Sequence, residues 1–161
     1  MAALRTSDPA LAAVMDRVGA FDLGPRRPAF VALARAIVFQ QLATKAATSI
    51  LQRLLDLYGG EFPTPPQLLA TPEGNLRGVG LSERKVEYLR GLATAFLDGS
   101  VDGDELAALP DEEVVERLTR LKGIGRWSAE MFLLFCLGRP NVLPVGDLGF
   151  RKAVREIYGL P

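Results

Sequence analysis

Leu121-Lys122-Gly123-Ile124-Gly125-Arg126-Trp127-Ser128-Ala129 is the stretch on which the fold turns. It joins two segments with helical apolar spacing, so residues 111–137 read as a helical hairpin. Two glycines one apart permit a tight turn and let another backbone come close. Gly125 opens the second helix, whose first N–H groups have no partner within it. Such an N-terminus is an anion site, and a DNA phosphate is its natural occupant. Ile124, the apolar residue between the glycines, is expected to pin the turn into the core. Locally, an ordinary helix–turn–helix corner fits as well, so the flanking sequence has to decide.

Upstream, nearly every segment reads as helix. Asp8-Pro9 is an N-cap followed by proline at the first helical position, opening a helix over residues 9–18. Residues 28–41 carry Phe30, Leu33, Ala34, Ile37 and Val38 at helical spacing. Thr44 is expected to cap the next helix, with Ile50, Leu51, Leu54, Leu55 and Tyr58 on one face and Gly59-Gly60 ending it. Pro63, Pro65 and Pro66 turn into a short helix. Ser82 starts a long one with the stripe Val86, Leu89, Leu92, Ala93 and Phe96. Gly99 and Gly103 are expected to bracket a loop, and Asp111 to cap the first hairpin helix. Beyond the hairpin, residues 138–146 read as a loop, and Asp147 stands at the start of a last helix. No sustained period-two pattern or internal repeat appears, which gives an all-α array of short helices.

Composition narrows the chemistry. The chain has 161 residues, 48% of them hydrophobic, enough for one domain or two small lobes sharing a core. It contains no histidine and one cysteine. The first fact removes Ser-His-Asp and Cys-His nucleophilic chemistry and most zinc enzymes. The second removes an internal disulfide and a Cys-ligated cluster. Cys136 lies in the longest apolar run, residues 131–137, and reads as a small buried hydrophobe. That run is too short to span a bilayer. Met1-Ala2-Ala3-Leu4-Arg5 has no signal-peptide apolar region, and a reducing cytoplasm is the expected location, with nucleoid association in a bacterium. Acid–base work falls to Asp, Glu, Lys or Tyr. Net formal charge is zero, yet residues 98–116 are acidic while Arg120, Lys122, Arg126, Arg139, Arg151, Lys152 and Arg155 make the following part basic. A basic face of this kind suits nucleic acid as well as plain solvation.

The second motif is Leu143-Pro144-Val145-Gly146-Asp147-Leu148-Gly149-Phe150-Arg151-Lys152. With the hairpin it resembles the helix-hairpin-helix DNA glycosylase superfamily, whose hallmark is this hairpin followed by a Gly/Pro loop and an aspartate. The 3-methyladenine DNA glycosylase II branch is nearest: it shows K-G-I-G-x-W-[ST]-A, an apolar helix, R-P, then P-V-x-D-L-G-x-[RK]. Residues 122–129, Arg139-Pro140 and residues 144–152 follow that pattern. Ile37-Val38-Phe39-Gln40-Gln41-Leu42 resembles the branch's I-x-x-Q-Q helix end, and Gly80-Leu81-Ser82-Glu83-Arg84-Lys85 its G-L-S-x-x-K helix start. The resemblance covers roughly residues 30–155.

It implies a single glycosylase domain over residues 1–161, with two helical lobes flanking an active-site cleft and a monomeric protein acting on double-stranded DNA. Asp147 matches the catalytic carboxylate. Excision of a base passes through an oxocarbenium-like transition state, which a carboxylate near C1′ stabilises. From local sequence Asp147 is equally a helix N-cap, and the two readings are compatible, since a helix N-terminus favours a charged carboxylate. Trp127 matches a position lining the base pocket, where its electron-rich face favours a cationic alkylated purine; core packing is its plain alternative. Met131, one turn on, stands where some members carry an aromatic residue, which leaves the base preference open. Bifunctional relatives place a lysine at position 127, so tryptophan implies hydrolysis by water without strand cleavage. Gly123, Ile124, Gly125, Lys122 and Arg126 match the hairpin's DNA contacts. Leu42 matches a wedge inserted where the base leaves the duplex, or is a buried loop leucine. Gln41 and Gln40 either cap backbone groups or touch DNA. The carbonyls of Thr119, Leu121 and Gly123 match a site for Na+ or K+, and no cofactor is required.

The match is incomplete. Gly146 stands where the family often has aspartate, and its loss is expected to loosen the loop carrying Asp147. An N-terminal β domain and the family's further C-terminal helices are both expected to be absent. Two other functions remain open. A non-catalytic helix-hairpin-helix module would keep Gly123 and Gly125 without needing Asp147 or Trp127. A glycosylase for oxidised, deaminated or mismatched bases would share most of the motifs.

Overall fold

The computed structural model describes residues 2–19 and 26–161. In chain order its helices are α1 (Ala2–Ser7), α2 (Pro9–Val18), α3 (Ala29–Phe39), α4 (Thr44–Asp56), α5 (Pro65–Ala70), α6 (Glu73–Gly78), α7 (Glu83–Leu97), α8 (Gly103–Ala108), α9 (Asp111–Thr119), α10 (Arg126–Phe135) and α11 (Leu148–Tyr158). No strand occurs among the described residues. Nor is any of their helices long and apolar enough to cross a membrane. The chain divides into two compact units, one of residues 26–142 and one combining residues 1–25 with 143–161.

The larger unit is built around α3 and α7. Leu33, Ala34, Ile37 and Val38 form one stripe of α3 and are fully buried, as is Leu89 of α7, with Leu92 and Ala93 beside it. α7 packs on α3, α5 and α6, and α10 packs on α9 and α3. Each buried leucine or isoleucine contributes about 1.5–3 kcal/mol relative to exposure. Phe30 meets Phe62 and Phe96 edge to face, at ring separations of 6.1 and 5.4 Å, the geometry that ring quadrupoles favour.

Local chemistry sets the boundaries. Ser82 caps α7 by accepting from the Lys85 amide, and Thr64 with Gln67 makes a capping box on α5. Several expectations need correction. Thr44 does not cap α4: Ala43 already takes the extended backbone of the cap, and Thr44 is the first helical residue. Asp111 likewise lies inside α9, behind Pro110. Gly103 does end the loop that contains Gly99. It begins α8, because the Asp102 carboxylate accepts from the Asp104 and Glu105 amides at 2.9 Å each. A side chain at 103 would meet the Ala29 Cβ at 3.0 Å, so this glycine serves close packing. Two glycines, poor helix formers, hide α6 in the sequence, and burial of Leu76 holds it in place.

In the smaller unit, Asp8 caps α2 through the Leu11 amide at 2.9 Å. Tyr158 of α11 donates to the second Asp8 oxygen at 2.5 Å, tying α11 to α2. These two hydrogen bonds, that from Leu11 first, hold the Asp8 carboxyl below its ordinary value of 3.8.

Candidate active site and nucleic-acid interface

The hairpin turn is closed by the Leu121 amide on the Leu118 carbonyl and the Ile124 amide on the Leu121 carbonyl, both at 3.1 Å. Gly123 has φ +86°, and a Cβ there would lie 2.3 Å from the Tyr88 ring. Both conformation and space therefore demand glycine. Ile124 is 4% exposed and does anchor the turn. Gly125 differs. Its φ is −95°, and nothing lies within 4 Å of where its Cβ would be. It takes the cap position of α10 with no side-chain cap, so no contact with the described residues requires glycine there.

Beside the turn lies a polar recess of about 330 Å³, walled in part by Gln40, Gln41, Lys85, Tyr88 and Gly125. The structure separates the two glutamines. Gln40 donates its amide to the Gly123 carbonyl at 2.7 Å, so it braces the hairpin from across the unit. Gln41 is exposed, with φ +55°. Lys85 donates to the Val38 and Gln40 carbonyls at 2.7 and 2.9 Å. It thereby ends α3 two residues before the expected boundary, and partial burial lowers its pKa from 10.5. Leu42, next in the turn, is 38% exposed rather than buried.

The hairpin's cations carry carboxylate partners. Lys122 pairs with Glu87 at 3.0 Å, both well exposed, and that contact raises the lysine pKa. Arg126 forks onto the two Glu112 oxygens at 2.7 and 2.9 Å, and its Nε reaches buried Glu130 at 3.1 Å. Arg126 thereby holds the Glu112 carboxyl below its ordinary 4.5. Exposed pairs of this kind are worth little and exchange readily for a stronger anion.

On the α3–α10 side of the same unit is a second cavity of about 330 Å³, mostly apolar. Trp127, Met131, Phe132 and Phe135 line it from α10, and Phe39 and Arg35 from α3. Trp127 is 42% exposed and Phe135 44%, so the tryptophan is not ordinary core. Cys136 is buried, its thiol donating to the Arg27 carbonyl at 3.2 Å and pushed up in pKa by burial.

Asp147 belongs to the other unit. It is the N-cap of α11, with Oδ1 accepting from the Phe150 amide at 2.7 Å. Its loop is closed by the Val145 amide on the Leu143 carbonyl and the Asp147 amide on the Pro144 carbonyl, both at 2.9 Å. Pro144 is buried, so backbone bonds order this loop without a side chain at Gly146. A Cβ on Gly149 would press on Asp147 Oδ1 at 3.2 Å.

Sequence reasoning missed Phe135 and Arg35, and placed Lys85 in the Gly80–Lys85 motif without giving it a role. A signal existed for Arg35, the lone charge in the apolar helix Ala29–Phe39. The contacts of Lys85 span more than forty residues and leave no local trace.

Among known families, the model of the HhH-GPD superfamily base excision DNA repair protein matches residues 34–161. DNA-3-methyladenine glycosylase 1 of Schizosaccharomyces pombe is 41% identical over 131 residues, 80% of this chain and 58% of that protein. The chain thus spans little more than half of that relative's length. The structure of the S. pombe 3-methyladenine DNA glycosylase in complex with abasic DNA is similar at a TM-score of 0.85 and 35% identity, covering 94% of this chain and 76% of that one. A DNA-3-methyladenine glycosidase from Bacillus halodurans is similar at a TM-score of 0.85 and 39% identity, covering 96% and 71%.

Proposed function

The chain belongs to the HhH-GPD superfamily of base excision DNA repair proteins, and from that membership we propose that it is a monofunctional DNA glycosylase hydrolysing the N-glycosidic bond of alkylated purines in duplex DNA. The observation that carries this reading is Trp127: a half-exposed indole on the first turn of the hairpin helix, lining an apolar cavity of about 330 Å³. A flipped purine is flat and apolar on its faces and stacks on such a wall. Met131 lines the same cavity. The substrates are 3-methyladenine and 7-methylguanine, with ethenoadenine, hypoxanthine and 1-methyladenine as further candidates.

In this reading Asp147 is the catalytic carboxylate, stabilising the developing oxocarbenium charge and orienting water. The Gly123, Ile124 and Gly125 backbone receives a DNA phosphate, Lys122 and Arg126 exchange their carboxylates for phosphate, and Leu42 with Gln41 enters the duplex. Hydrolysis needs no cofactor. The Thr119, Leu121 and Gly123 carbonyls would hold a Na+ or K+ ion. The last two already accept hydrogen bonds, from the Ile124 amide and from Gln40, but each carbonyl oxygen keeps a second lone pair. The donor set therefore suits a hard monovalent ion. The protein would act as a monomer, in the cytoplasm and, in a bacterium, at the nucleoid.

The test is incubation with a duplex carrying a single 7-methylguanine or 3-methyladenine, analysed with and without alkali. Free base plus strand breaks that appear only after alkali support a monofunctional glycosylase. Breaks without alkali, or a borohydride-trapped covalent adduct, would indicate a lyase. Binding without base release would favour a recognition-only module.

A further inference from the structure

The apolar cavity is longer than a methylated base. Trp127, Met131 and Phe135 all line it, and they follow one another at four-residue intervals along one side of α10. Eight residues of α-helix span about 12 Å, so Phe135 stands two turns beyond the indole. Phe135 is as open to water as Trp127. An aromatic ring left uncovered in a cavity is surface that a ligand gains by burying. On the α3 wall, the Arg35 guanidinium lies 5.4 Å from the centroid of the Phe39 ring, a flat stacked pair. The volume of about 330 Å³ falls within the range of cavities that hold drug-sized ligands, about 300–1,000 Å³. A methylated purine is smaller than such a ligand. Stacked on Trp127, it leaves the Phe135 end uncovered.

We propose that the Phe135 end of this cavity is a subsite for a purine substituent larger than methyl, an aromatic or branched alkyl group, and that Phe135 sets the tolerance for it. This rests on the glycosylase reading and widens its substrate class from methylated to bulky N-alkylated purines. The base stacks on Trp127, and the substituent runs past Met131 to Phe135. Met131, unbranched and polarizable, adapts to groups of different shape. A benzyl ring at Phe135 gains an aromatic pair as well as buried area, together worth on the order of tenfold in affinity. The bond-breaking step is unchanged by the larger group. A purine alkylated at N7 or N3 is positively charged. Water adds to C1′, the C1′–N9 electron pair returns to the base and leaves it neutral, and the proton lost by water passes to solvent. The substituent takes no part in these exchanges, so it acts through binding alone.

The test compares duplex DNA treated with a benzylating agent and with a methylating agent. Single-turnover release of 7-benzylguanine and 3-benzyladenine is set against that of 7-methylguanine and 3-methyladenine. Each rate is divided by the spontaneous loss of the same base without protein, which removes differences in leaving ability. Wild type should release at least one benzylated base within about tenfold of its methylated counterpart. Phe135→Ala should lower that ratio on the order of tenfold. Phe135→Leu, apolar but without the ring, should fall between, and both variants should melt near wild type because position 135 is exposed. Binding is read separately on duplexes carrying the same lesions on 2′-fluorinated sugars, which resist hydrolysis. Wild type should bind a benzyl duplex at least as tightly as the methyl duplex, and Phe135→Ala should reverse that order. Overturning results are release of both benzylated bases more than about tenfold slower than the methylated ones, weaker binding of both benzyl duplexes, or a benzyl-to-methyl ratio unchanged in Phe135→Ala. If wild type releases no base at all, methylated bases included, the glycosylase reading fails, while the binding comparison still decides the subsite.

Discussion

Gly123 and Gly125 are glycines for different reasons, and substitution should expose that. Gly123→Ala forces an L-residue into φ +86° and drives its Cβ into the Tyr88 ring. We expect a loss of about 2 kcal/mol or more in urea unfolding, part of it recovered by adding Tyr88→Ala. Gly125→Ala meets no atom within 4 Å and should cost only about 1 kcal/mol, the loss of a glycine cap to alanine. If an outside backbone approaches there, however, this variant should bind duplex DNA several-fold more weakly. Equal DNA affinity for wild type and Gly125→Ala would remove the hairpin amides from the interface. Nearby, Glu112 contributes a pH dependence. Its folded pKa lies below the ordinary 4.5 because of Arg126, so the stability it supplies is full above pH 4.5 and is lost as pH falls through the folded value. Arg126→Gln should flatten the acid limb of a stability-versus-pH curve below 4.5, and an unchanged limb would mean that the pair contributes nothing.

The exit of α3 shows how one element builds another's site. Lys85 caps the end of α3 through two carbonyls, and Gln40, set by that turn, braces Gly123. Lys85→Met would leave those carbonyls short of a donor and should cost about 1–3 kcal/mol. Because the turn carries Leu42, it should also lower base release beyond what instability explains; Leu42→Ala, at an exposed position, should lower release with no change in melting temperature. Elements of this kind are only partly legible in the sequence. The stripes of α3, α4 and α7 follow from the 3.6-residue period, and Asp8, Ser82 and Asp147 are caps in the structure as their residue types suggest. Thr44 and Asp111 mislead because the preceding residue already holds the extended cap conformation. The role of Lys85 is invisible because its acceptors are backbone atoms of a helix distant in sequence.

For the whole molecule, charge is arranged rather than accumulated. Net formal charge is zero, and Arg120, Lys122 and Arg126 are held by Glu116, Glu87 and Glu112. On the proposed function, DNA binding would exchange carboxylates for phosphates, and its affinity should then fall with salt by a log–log slope of about 0.9 per phosphate engaged. Of the candidate site, Gly123, Ile124 and Trp127 are legible because they share one short motif, and Met131 because it follows Trp127 by one turn of the same helix. Arg35 and Phe135 were not, because they become neighbours only when α3 packs on α10. Asp147 stands on a separate unit, where its capping bond to Phe150 is as visible as any chemistry. The account depends most on that carboxylate doing more than capping. The direct measurement is single-turnover release of 7-methylguanine from duplex DNA by Asp147→Asn and by wild type, with duplex affinity and melting temperature measured on both. Asparagine is a good N-cap, so fold and affinity should persist while release falls on the order of 100-fold or more. Release at the wild-type rate by a folded, DNA-binding Asp147→Asn protein would contradict the account.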